Sequence, residues 1–339
     1  MLEIDGSYLE GGGQIVRTAI ALSTITKTPV RIYNIRRGRE KPGLKPQHLE
    51  GVKAAAKICQ AELSDAQLNS TELAFIPGKI QGGAYKIDTK TAGAITLILQ
   101  ILTPLGIFAE APLKLDIKGG TAVLYSPNII YFENVFCYYM KKMGMNISVE
   151  VRKHGFYPRG GGEVVIFINP SSLIPYNFGG PGLLKQVDVF AISSEHLRTA
   201  KVAERLITGF QSVYPQVRFK YQYVPADSAG CFIQALAIFE NCILGFDALG
   251  EKGKPAEEIG KKAGELLKKN LDNPTGVDIW TLDQIIPYIA LATSATGSSI
   301  KIKFSELTMH ARTNIWVVKQ FLPVEFEIKD NTLECRKKT

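Results

Sequence analysis

Four histidines occur in this 339-residue chain, and His310 has the setting best suited to chemistry. An alternation of apolar and basic residues over 300–304 reads as a short strand just before it. From Thr313 the apolar residues Ile315, Val317, Val318, Phe321 and Leu322 recur with helical spacing, and Thr313 or Asn314 is placed to cap that helix. A helix N-terminus offers unpaired N–H groups and a positive dipole end, which suit a phosphate held beside it. An imidazole there can act as a general base, a metal ligand, or a nucleophile that takes up a phosphoryl or nucleotidyl group. The plain alternative is a loop histidine that only hydrogen-bonds.

Two further stretches carry groups for anion chemistry. Glu10-Gly-Gly-Gly-Gln-Ile-Val-Arg17 leads from a short strand over 2–4 into a helix that reaches about Thr24. Its glycines let backbone N–H groups approach a phosphate closely, though such a turn is as often a tight strand-to-helix connection. Glu10 and Arg17 flank it. A strand over 30–35 is followed by a basic loop, in which Gly38, Pro42, Gly43 and Pro46 exclude regular structure. Arg36, Arg37, Arg39, Lys41 and Lys45 cluster there with only Glu40 among them. Guanidinium groups grip phosphate oxygens in pairs, so the loop reads as a phosphate clamp or, from charge alone, as a solvated loop.

The elements that must position these groups follow from composition and pattern. A chain of 339 residues is too long for one simple core, so two domains or a repeated architecture are expected. A hydrophobic share of 45% with evenly spread charge marks a globular protein. No apolar run reaches membrane-spanning length, and the Gly-rich start is not that of a signal peptide. Cys59, Cys137, Cys231, Cys242 and Cys335 are scattered without a CxxC pair, against a disulfide framework or zinc site and in favour of the cytoplasm. A net charge of +8 points to polyanionic partners.

Along the chain, helices are expected over 48–58, 92–103 and 128–142, and strands over 73–75, 83–87, 113–117, 147–152 and 163–169. Gln100 is the one strongly polar side chain of the second helix. This pattern recurs at intervals of about 80 to 90 residues. A linker over 175–182 introduces a different block: strands over 185–192, 217–224, 231–237 and 242–246, and helices over 200–210 and 256–271. A helical stretch over 277–291, kinked or split at Pro287, leads back. The simplest arrangement is a large repeated domain interrupted by a small inserted one.

Several nucleotide and hydrolase signatures are absent: GxxxxGK[ST], GxGxxG, the Lys-x-Asp-Gly of lysine-nucleophile ligases, HExxH and GxSxG. What remains is a resemblance. Glu10-Gly-Gly-Gly-Gln-Ile-Val-Arg17, Arg36-x-Gly-Arg39-x-Lys-Pro-Gly-Leu-x-x-Gln47-His48, His154-Gly-Phe-Tyr-Pro-x-Gly-Gly-Gly162 and His310-x-x-Thr-Asn-Ile315 resemble motifs of RNA 3′-terminal phosphate cyclases, in the family's order and spacing. The resemblance implies an α/β fold with a large domain of three repeated βαβαββ-type units, helices on four-stranded sheets. That domain would comprise residues 1–182 and 276–339, with a smaller inserted α/β domain over 183–275.

The implied function is ATP-dependent conversion of an RNA 3′-phosphate end to a 2′,3′-cyclic phosphate. His310 would be the nucleophile, forming a covalent histidine–AMP. Glu10 would hold a divalent ion, Mg2+ or Mn2+. Arg17, Arg36, Arg39 and Gln47 match positions for phosphates of ATP or the RNA end. Gln100, Pro127, Trp280, Asp283 and Gln284 match adenosine-binding positions, and His154 is expected to be structural. Two positions depart from the family's pattern, Ala122 and Ile130, where acidic residues are frequent. Self-association, for instance as a homodimer, is not fixed by the sequence. Two rival functions are weighed: a non-catalytic cyclase-like RNA-binding protein of ribosomal RNA processing, and an enolpyruvyl-type transferase built on the same repeat. The presence of His310 beside Thr313-Asn314 argues against both.

Overall fold

The computed structural model describes residues 1–338. Its first sheet is built from β1 (Leu2–Asp5), β2 (Val30–Tyr33), β3 (Glu62–Ser64) and β4 (Leu73–Ile76), ordered β1-β2-β4-β3. Helix α1 (Gly13–Thr26) connects β1 to its parallel neighbour β2, and α2 (Pro46–Cys59) precedes the antiparallel pair β3–β4. The second sheet repeats that order and those directions. It runs β5 (Gly83–Asp88), α3 (Ile95–Ile107), β6 (Leu113–Gly119), then α4 (Ile129–Tyr131), which passes through a π-helical turn (Phe132–Phe136) into α5 (Cys137–Lys142), and finally β7 (Asn146–Lys153) and β8 (Gly162–Asn169).

A third sheet follows, formed by β9 (Leu184–Ser194), β10 (Arg218–Val224), β11 (Cys231–Phe239) and β12 (Ile243–Leu249) in the order β10-β9-β11-β12. Helices α6 (Val202–Gln211) and α7 (Ala256–Leu271) pack on each other and on this sheet. The chain closes with α8 (Ile279–Thr296), β13 (Ile300–Lys303), α9 (Met309–Phe321), β14 (Val324–Lys329) and β15 (Thr332–Lys337), whose strands order β13-β15-β14. Buried Phe178 lies parallel to Ile302, its N–H donating to the Lys301 carbonyl at 2.9 Å. It thus takes the edge that β1 and β5 hold in their own sheets.

The core follows from the apolar pattern. Residues 14–24 of α1 are all buried, as is nearly every residue of α3. α1 packs on α2, α3 and α9, and α9 on α8, so helices from both ends of the chain share one interior. Strands such as β7 alternate buried with more exposed residues, whereas β11 of the third sheet is covered on both faces. All five cysteines are free and buried. No described helix is long and apolar enough to cross a membrane.

Three expectations are corrected. Pro287 does not split its helix: α8 runs unbroken from Ile279 to Thr296. A proline has no N–H for the carbonyl four residues back, and that carbonyl, on Asp283, accepts instead from Asn314 Nδ2 at 2.6 Å. The last helix begins at Met309, capped by Thr308 and not by Thr313 or Asn314. The helix expected over 92–103 starts at Ile95 and continues through Pro104 to Ile107.

Candidate active site

Thr308 sets the position of His310. Its hydroxyl accepts from the Ala311 N–H at 3.0 Å and donates to Asp283 Oδ1 at 2.5 Å, fixing the first turn of α9. His310 therefore sits within that turn, its side chain 49% exposed. His310 Nδ1 lies 2.6 Å from Gln14 Oε1. An amide oxygen only accepts, so the imidazole proton is on Nδ1 and the lone pair on Nε2 is free. Burial and the positive charges of Arg17 and Arg39 hold the imidazole below its ordinary pKa, so at neutral pH it is uncharged.

Glu10 approaches from the other end of the chain. Its N–H donates to Thr313 Oγ1 at 3.4 Å, one carboxylate oxygen pairs with Arg39, and the other is buried without a hydrogen-bond partner, 3.6 Å from His310 Nδ1. The glycines beside it clear space. A Cβ on Gly12 would fall 2.1 Å from Glu10 Oε2, and one on Gly13 would fall 2.1 Å from His48 Nε2. His48 is buried, and its Nδ1 accepts from the Lys45 N–H at 3.2 Å at the end of the basic loop. Gly13→Ala is accordingly expected to displace His48 and cost about 1–3 kcal/mol of stability, read as a lower urea midpoint in equilibrium unfolding. An unchanged midpoint would show that the histidine moves aside freely.

Arg17 is buried, and its Nε donates to Gln100 Oε1 at 2.7 Å. Among the described residues no carboxylate pairs with it, and burial, together with the nearby Arg36, pulls its pKa to about 10. A buried cation without a counter-charge calls for an anion. Arg36 donates through Nη1 to the Lys41 and Gly43 carbonyls at 2.8 and 3.0 Å, so it also ties its own loop. Gln47 is half-buried in the first turn of α2.

Arg17 and His310 open on a cavity of about 740 Å³ that is also lined by Gln100, Pro127, Trp280, Asp283 and Gln284. Burial pushes the Asp283 carboxyl up to about 7. The far wall comes from residues 247–251 and Lys262. A profile of the RNA 3′-terminal phosphate cyclase family matches residues 8–328. RNA 3′-terminal phosphate cyclase of Methanosarcina barkeri is 42% identical over 97% of both chains. Those of Methanopyrus kandleri and Pyrococcus furiosus are each 40% identical over 97% of this chain and 95% of theirs. The chain belongs to the RNA 3′-terminal phosphate cyclase family. A solved enolpyruvyl transferase, NikO from Streptomyces tendae, is 13% identical with a TM-score of 0.29 over 49% of this chain and 32% of its own, a likeness too slight to carry an argument.

Of the residues matched to the cyclase family's motifs, seven line the one cavity: Arg17, Gln100, Pro127, Trp280, Asp283, Gln284 and His310. Glu10 and Arg39 meet beside His310, while Arg36 and Gln47 stand outside the cavity. His154 is a packed residue, with Nδ1 3.2 Å from Thr121 Oγ1, and burial lowers its pKa to about 4. Ala122 and Ile130, the two departures from the cyclase pattern, are buried in apolar surroundings. Sequence reasoning missed Gln14, Thr308 and the wall at 247–251. The one available signal was Gln14 itself, an amide at the head of a mostly apolar helix and three residues before Arg17.

Proposed function

We propose that this protein is an ATP-dependent RNA 3′-terminal phosphate cyclase that works through a covalent histidine–AMP. The observation that carries the proposal is a neutral His310 with Nε2 free, at the mouth of a nucleotide-sized cavity holding the unpaired Arg17 guanidinium. Nε2 attacks the α-phosphorus of ATP, a P–N bond forms, and the bond to pyrophosphate breaks. The Nδ1 proton stays on the ring, donated to Gln14 Oε1, which keeps the imidazole in the attacking tautomer. An oxygen of the RNA 3′-phosphate then takes the AMP and releases His310. The neighbouring 2′-hydroxyl finally attacks the 3′-phosphorus, losing its proton to solvent as AMP departs and the ring closes.

The other residues position the reactants. Arg17, Arg36, Arg39 and Gln47 hold phosphates of ATP or the RNA end. Gln100, Pro127, Trp280 and Gln284 hold adenosine, and Asp283 takes ribose hydroxyls. The unpartnered Glu10 oxygen fits a divalent cation, Mg2+ or Mn2+. No group of three metal-binding side chains occurs among the described residues, so Glu10 would share such an ion with phosphate oxygens. When bound, it neutralises charge on the triphosphate.

The same proposal covers the architecture: three βαβαββ-type units in residues 1–182 and 276–339, and an inserted domain over 183–275. Support comes from the shared strand order of the first two sheets and from Phe178 standing at the edge of the third. The buried free thiols support a cytoplasmic site of action.

With ATP labelled at the α-phosphorus, the protein is expected to take up label that is acid-labile and base-stable. RNA with a 3′-phosphate is expected to become cyclic, with AMP and pyrophosphate released. Cyclisation without AMP release would overturn the proposal. The lowered pKa of His310 also has a sign. An ordinary imidazole is half protonated at about pH 6.5. His310 reaches half-protonation only below that value, so AMP attachment at pH 6.5 is expected to exceed half of its plateau and to reach half only in more acid buffer. Half-loss above pH 6.5 in rapid-quench rates would contradict this.

A further inference from the structure

Tyr8 and Trp316 form an aromatic stack beside the active site, with ring centroids 4.3 Å apart and an interplanar angle of 27°. The stack is open to solvent: Tyr8 is 43% exposed, and neighbouring Met309 is 48% exposed. Its place follows from the Glu10 turn. Leu9, between Tyr8 and Glu10, holds a left-handed backbone with φ 49°, and the Gly11 N–H donates to the Tyr8 carbonyl at 3.0 Å. That turn sets Glu10 against Thr313 and, three residues further along α9, Tyr8 against Trp316. Passing round α9 from His310, one meets the Glu10 carboxylate and then the Tyr8 ring.

Cations border the stack. Arg312 and Lys319 stand four residues before and three after Trp316, hence on its face of the helix, and both are exposed. Neither takes part in an ion pair among the described residues. An exposed aromatic face between free cations is how proteins hold single-stranded RNA: bases stack on the ring and phosphates meet the charges. A second copy of the chain fits this stripe poorly, because a two-fold contact would set like charges together in a protein of net charge +8.

We infer that Tyr8, backed by Trp316 and flanked by Arg312 and Lys319, holds the RNA strand just upstream of the 3′-phosphate. The inference rests on the cyclase reading for the direction in which the strand leaves His310. Binding of a dye-labelled oligoribonucleotide of roughly ten residues ending in a 3′-phosphate, read by fluorescence anisotropy on the full chain, tests it. Tyr8→Ala is expected to weaken binding about tenfold. Tyr8→Phe, which keeps the stacking face, is expected to stay within about twofold of wild type. Arg312→Glu is expected to weaken binding and flatten its salt dependence.

Wild-type affinity in Tyr8→Ala would overturn the inference. So would sedimentation showing a wild-type dimer that Tyr8→Ala dissociates while RNA affinity holds. If wild type binds RNA with the expected dependence on Tyr8 but forms no cyclic phosphate, the cyclase reading fails and the RNA track stands.

Discussion

His310→Ala is expected to lose AMP attachment by at least about a thousandfold while the protein stays folded. The loss is large because none of the other three histidines is placed to form the P–N bond. His48 is buried and His154 half-buried, both with their pKa lowered by desolvation, and His196 sits in the short Glu195–Leu197 turn at the far end of β9. Folding is spared because the imidazole is half-exposed and its hydrogen bond to Gln14 contributes little to stability. Labelling of the variant to the wild-type level would remove His310 from the nucleophile's role. Gln14→Ala separates position from chemistry, since it frees the imidazole to choose either tautomer without removing it.

The second large effect concerns stability. Asp278→Ala is expected to destabilise the protein by about 3–5 kcal/mol in equilibrium unfolding. This buried carboxylate caps α8 by accepting from the Thr281 N–H at 2.7 Å. It also accepts from the Tyr131 hydroxyl at 2.6 Å and from the Gly245 N–H at 2.9 Å. Burial raises its pKa, and these donors oppose the rise. Alanine would leave the Thr281 and Gly245 N–H groups without an acceptor, and the Tyr131 hydroxyl with only Thr281 Oγ1 at 2.7 Å. Because Gly245 lies on β12, which carries residues 247–249 of the cavity wall, nucleotide binding is expected to weaken in parallel. A loss under about 1 kcal/mol would mean that water replaces the carboxylate.

What the sequence made legible was local. Alternation in strands, helical spacing in α1 and α9, and Gly/Pro punctuation in the basic loop all depend on near neighbours, and the elements appear close to where the pattern puts them. The start of α9 was misplaced because Met309, Arg312 and Thr313 do not continue an apolar repeat; the cap is the Thr308 hydroxyl accepting from the Ala311 N–H, oriented by Asp283 from another helix. Pro287 misled for the same reason, since Asn314, distant in sequence, satisfies the carbonyl that proline abandons. The strand β3 is three residues long, too short for alternation to register. Gln14 and Asp278 act through partners 296 and 147 residues away, respectively, and no spacing rule reaches so far.

Glu10, Gln14 and His310 meet although hundreds of residues part them, because α1 and α9 lie side by side. A ribosome must therefore release everything from residue 14 to residue 310 before the His310 imidazole finds its hydrogen-bond partner. Chains lacking the Glu10–Gln14 or the His310 segment are expected to be inert toward ATP, and two separately produced halves to regain reactivity only by reassociating.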